Sequence, residues 1–162
     1  MSPFNTLTTM PVRNLASNSR LRVTTTKLSK NSRYKIVATN LTTGGQSAVF
    51  EQSRAGKIIK TLSLDSRGVV RVDVINQSNE VERSYLTVGT VEIDCCIAKL
   101  VHDAVNCTCK CDRCKEDLRR AQTVRLLIDS ARYEATAGLS DSATDKYNKA
   151  KALCTEVCAC GC

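Results

Sequence analysis

Hydrophobic positions recur every second residue in the first part of this chain and every third and fourth residue in the last part. Val70, Val72 and Val74 alternate with Arg71 and Asp73. That period puts valines on one face of a strand and charges on the other. Tyr85 and Thr87 keep the same parity as Val91 and Ile93, so the last strand is expected to run through residue 93. Strands are predicted at 19–28, 34–40, 47–52, 57–65, 68–76 and 83–93, separated by turns rich in Gly, Asn, Asp and Ser. Short strands at such spacing imply an antiparallel β-sandwich of immunoglobulin-like type, its strand order left open.

From residue 94 the period changes. Asp94 stands where a helix N-cap belongs, and Ile97, Leu100, Val101, Ala104 and Val105 follow at helical spacing. A second helix is predicted from about Asp112 to Ala137, with Leu118, Ala121, Val124, Leu127, Ile128, Ala131 and Ala135 as its stripe. Gly138 occupies the position of a C-terminal helix glycine. Ser142 with Asp145 forms a variant capping box, and Ala143, Tyr147, Ala150, Cys154 and Val157 line the third helix. The fold class is therefore α+β. An extended arm covers 1–18, a β-sandwich domain 19–93, and a three-helix segment stapled by cysteine clusters 94–162.

Composition explains why staples are expected. The chain has 162 residues, no Trp and 4% aromatics, so its core must be mainly aliphatic. Two units of roughly 80 residues each bury a small share of their surface and need added fastening. Residues 1–93 carry 13 Lys/Arg against 6 Asp/Glu, and residues 94–162 carry 11 against 10. The basic half could meet nucleic acid or an acidic protein surface. Its basic residues are scattered singly with almost no interleaved aromatics, which counts against a nucleic-acid groove. No apolar stretch approaches the roughly 18 residues of a membrane span, and residues 1–14 do not read as a signal peptide. A reducing cytosol is expected, where cysteine clusters more often bind metal than pair.

All ten cysteines lie at or after Cys95. Cys107, Cys109, Cys111 and Cys114 fall between the first two helices, and Cys154, Cys158, Cys160 and Cys162 end the sequence. An antiparallel pairing of the second and third helices would bring both clusters to one end. Eight thiolates suit one or two structural zinc ions, each held tetrahedrally by four sulfurs. Disulfides are the alternative. Zinc–thiolate binding contributes on the order of 10 kcal/mol to folding. Cys95 and Cys96 read as small apolar residues against the sheet, or as bridges to a neighbouring chain. The single histidine, His102, reads as a surface or half-buried residue, with zinc ligation as its alternative role.

No enzyme is expected. His102 lies about 10 Å along the helix axis from Cys95 or Cys96, too far for a nucleophile–base pair. The chain has no G-x-x-x-x-G-K-[ST], H-E-x-x-H or G-x-G-x-x-G motif.

Two resemblances add to this reading. Residues 115–157 resemble a single tetratricopeptide-like hairpin through Leu127, Ala131, Gly138, Ala143, Tyr147 and Ala150. The closing proline is missing, and Glu134 stands where that repeat places an aromatic. This resemblance implies hairpin packing, without a peptide-binding superhelix. Residues 94–105, the first cysteine cluster and the terminal Cys158, Cys160 and Cys162 resemble virion structural proteins of tailed bacteriophages. That resemblance implies a homo-oligomeric neck, tail or capsid-attached component, assembled in the host cytoplasm with other virion proteins and lacking catalysis. The alternatives are a metal-stabilised cytosolic protein–protein adaptor and a basic nucleic-acid-binding module.

Overall fold

The computed structural model describes residues 20–107 and 112–155. The arm at 1–18 lies outside the described residues. Six strands precede three helices, so the α+β class stands: β1 (Arg20–Thr25), β2 (Arg33–Asn40), β3 (Gln46–Gln52), β4 (Ile58–Ser63), β5 (Gly68–Ile75), β6 (Val81–Gly89), α1 (Val91–Val105), α2 (Asp112–Thr136) and α3 (Ser140–Thr155).

The strands form two antiparallel sheets, one of order β1-β4 and one of order β3-β2-β5-β6. Register follows the period of two. Ile36 lies opposite Val74, Ala38 opposite Val72, and Val72 opposite Tyr85. These residues share one face of the four-stranded sheet, where they meet Leu21, Val23, Ile58 and Leu62 of the smaller sheet in a common core. The other face carries Val69 and Leu86, which join Ile93, Ile97, Leu100, Ile128 and Tyr147 in a second core beneath the helices. The four-stranded sheet is thus the middle of three layers. This placement explains why Gly68, Val69 and Val70 are buried in succession, since β5 is covered on both sides.

A buried polar residue fixes the loops above the middle sheet. Asn40 is fully buried. Its amide nitrogen donates to the carbonyls of Asp65 at 2.6 Å and Arg67 at 2.8 Å. Its oxygen accepts the N–H groups of Thr42 and Thr43. Every hydrogen-bonding position of the carboxamide has a partner, which is what allows a polar group to sit there.

The boundary between strand and helix differs from the expected one. β6 ends at Gly89, and α1 starts at Val91, so Asp94 lies in the first turn and is not the N-cap. Two features set the change. A side chain at Gly89 would run into the carbonyl oxygen of Ser66. The Asp94 N–H donates to the Thr90 carbonyl at 2.7 Å, and the Thr90 hydroxyl donates to the Asp94 carboxylate at 2.9 Å. Glu92 and Asp94 also place negative charge in the first turn, against the positive end of the helix dipole. Ile93, Ile97 and Leu100 are the buried face of α1. Ile93 therefore belongs to the helical period, not the strand period.

The α2–α3 turn follows the sequence. Gly138 has φ of 81°, and its N–H donates to the Ala135 carbonyl at 3.0 Å, while the Leu139 N–H reaches back to Glu134 at 2.8 Å. This pair of bonds is a Schellman closure. The two helices then pack through Ala121, Ala135, Ala143 and Ala150, all buried. Alanine has nothing beyond Cβ, so such faces allow close axial approach.

Candidate functional site

The three helices are held together by two sulfur–sulfur bonds and two charge clusters. Cys96 sits in α1 beside Ile97 of the buried face, and Cys154 continues the Ala143–Tyr147–Ala150 stripe of α3. Their sulfurs are bonded, with Cα atoms 5.9 Å apart. Cys107, just past the end of α1, is bonded to Cys114 in the first turn of α2, with Cα atoms 6.2 Å apart. Both separations lie within the range a disulfide spans. The first bond joins the first and third helices, and the second closes the loop between the first and second.

This arrangement corrects the zinc expectation at Cys107, Cys114 and Cys154. A sulfur bonded to sulfur is not a thiolate donor, so these three residues do not fit a zinc ion. Among the described residues no three His, Cys, Asp or Glu side chains converge as a metal site. Cys109, Cys111, Cys158, Cys160 and Cys162 lie outside the described residues. Among the described cysteines, Cys154 pairs with Cys96 of α1, and Cys107 pairs with Cys114 within the first cluster. Counted from the Gly138 turn, Cys154 lies level with about residue 122 of α2, some 12 Å short of Cys114. Cys154 faces α1 instead.

Cys96 is the partner that sequence reasoning missed. A signal was present in the position of Cys154. It keeps the spacing of the α3 apolar stripe, which directs it into the core and away from a terminal cluster. Cys95 is exposed and carries no disulfide. The His102 side chain is exposed, 3.6 Å from the Asp103 carboxylate.

Charge supplements these bonds at both ends of α3. Near its start, Glu134 of α2 pairs with Lys146 and accepts from the Ser142 hydroxyl at 2.7 Å, while Lys146 also donates to Ser130 at 2.9 Å. The bond from Lys146, followed by that from Ser142, holds the Glu134 carboxyl below the usual glutamate range. Glu134 is thus the centre of a polar clasp between the hairpin helices. Near the end of α3, Glu92 of α1 lies 3.7 Å from both Arg67 of the β4–β5 loop and Lys151. Arg67 also bonds Asp65 at 2.7 Å and depresses that carboxyl's pKa through the hydrogen bond. Tyr147 lies beside this cluster, buried, with no hydrogen-bond partner for its hydroxyl among the described residues. Burial, followed by the nearby Glu92, raises its pKa.

Loop, sheet and helices are thereby fastened to one another around the second core. The fold and its ties define a cross-braced α+β unit, in which a β module and a disulfide-tied helical layer share a sheet. No protein-family model, curated protein or solved structure matches the chain. No described helix is long and apolar enough to cross a membrane.

Proposed function

We propose that this chain is a non-enzymatic structural or assembly component of a virus particle, a neck, tail or capsid-attached protein of a tailed phage. It oligomerises through its arm and β module. The observation that carries this reading is the packing of Val69 and Leu86 into the helical core. It makes the middle sheet common to both modules, so load applied to one is transmitted to the other. Paired sulfurs support the same reading, because disulfides persist on particles exposed to oxidising surroundings.

The same proposal takes the β module to be immunoglobulin-like. An order of β3-β2-β5-β6 facing β1-β4 supports this, as it corresponds to a C′-C-F-G sheet over a B-E pair. The outer edges of β1, β4, β3 and β6 have no strand partner among the described residues, and open edges accept further strands. Assembly through these edges gives the oligomer.

Size-exclusion chromatography with light scattering, run over a concentration series, tests the proposal. The expected result is a defined multimer, and the arm-truncated chain lacking residues 1–18 is expected to run as a smaller species. A monomer at every concentration would remove the basis for an assembly role.

A further inference from the structure

The fold gathers on one sheet face what the sequence scatters. Phe50 is one of two phenylalanines in the chain, and it is 58% exposed on β3, an edge strand. Lys35 lies directly opposite it in the register, and Arg33 lies diagonally, opposite Gln52. The Arg33 guanidinium carbon is 5.2 Å from the ring centre and the Lys35 ammonium 5.7 Å. Two cations are therefore stationed over one exposed ring, at distances where the ring quadrupole attracts them.

A groove continues from this platform to the β5–β6 turn, where Asn76, Gln77 and Asn79 line it. The Asn76 oxygen accepts the N–H groups of Ser78 and Glu80, each at 3.0 Å. That fixes the carboxamide and leaves its NH₂ group as a donor. Glu51, between Phe50 and Gln52 in sequence, belongs to the opposite face, where it pairs with Lys60 at 3.2 Å. Its charge therefore does not oppose an anion at the platform.

We infer that this face binds single-stranded nucleic acid, with a base stacked on Phe50, backbone phosphates held by Arg33 and Lys35, and the carboxamides of the β5–β6 turn at the base edges. The chemistry matches part for part. A flat ring accepts any base, and paired cations track the backbone beside it. An acidic peptide would satisfy the cations but leave the ring without a flat partner. The excess of 13 basic over 6 acidic residues in positions 1–93 favours the same polyanion at longer range.

Fluorescence anisotropy of a short labelled oligothymidylate, titrated with the full chain across a salt series, tests it. Two neutralised phosphates predict a log–log salt slope of about −1.4. Phe50→Ala is expected to weaken binding about tenfold through lost stacking while the melting temperature stays unchanged. Arg33→Ser combined with Lys35→Ser should weaken binding and flatten the slope toward zero. Lys115→Ser combined with Arg119→Ser removes equal charge from the helical layer and should leave affinity within about twofold. Equal losses from both charge variants would show unspecific attraction and overturn the site. So would wild-type affinity in Phe50→Ala, or an acidic peptide that binds more tightly than the oligonucleotide with the same Phe50 dependence.

Discussion

The core between the two sheets and the core under the helices solve the same problem with different material. Between the sheets stand Leu21, Val23, Ile36, Val70, Val72, Val74, Tyr34 and Tyr85. Beneath the helices, Ala121, Ala135, Ala143 and Ala150 take up a large share of the contact. Each alanine in place of a leucine forgoes about 2–5 kcal/mol of buried packing. The β module has no cysteine and relies on apolar area and a saturated Asn40. The helical layer gains close approach from its alanines but too little area, and it is fastened by covalent bonds and ion pairs. Where apolar area is scarce, cross-links between the elements supply the difference.

That contrast can be broken most severely at the long bridge. Cys96 and Cys154 are 58 residues apart, Cys107 and Cys114 only 7. On loop-closure entropy the first bond contributes about 4 kcal/mol and the second about 2 kcal/mol. Denaturant unfolding of Cys96→Ser with Cys154→Ser, followed by circular dichroism, should show the helical signal lost first and the β signal retained. Hydrogen exchange should place the loss in α3, whose tie to α1 is removed. Equal destabilisation by the two serine pairs would mean that loop length does not govern these ties.

The β module should respond to loss of a polar tie in the same measurement. Asn40→Ala strands the carbonyls of Asp65 and Arg67 and the N–H groups of Thr42 and Thr43, at a cost of about 2 kcal/mol. Here the β signal should weaken before the helical one. An unchanged midpoint would show that water replaces the carboxamide without penalty.

The smallest effect is expected at the hairpin clasp, and it depends on pH. The Glu134 pKa is lower in the folded state, so its contribution is fully present above the ordinary glutamate value. It is lost as pH falls through the depressed folded value. Glu134→Gln should therefore lower the melting temperature slightly at neutral pH and flatten its decline in acid. A variant whose acid limb coincides with that of the wild type would leave the clasp without a role in stability.

Much of this architecture was legible in local pattern. Alternation at Val70–Val72–Val74 located β5, and the Gly138 position located the α2–α3 turn, because strand parity and a left-handed helix end are properties of a few adjacent residues. Parity failed at Val91 and Ile93. Two periods fit such a short stretch, and the approach of Ser66 to Gly89 chose between them from elsewhere in the chain. Cysteine spacing points to metal ligation because i and i+2 thiols suit one ion. The pairing of Cys154 with Cys96 depends on which helix lies against the α3 stripe, and no spacing encodes that.

The sequence by itself determined the division into a β part and a helical part, the periods of their faces and the need for fastening in the second part. Tertiary structure decided which sulfurs meet, that one sheet serves two cores, and that Arg33, Lys35 and Phe50 share a surface. Periodicity is written by neighbours along the chain, whereas these encounters arise between residues brought together only by packing.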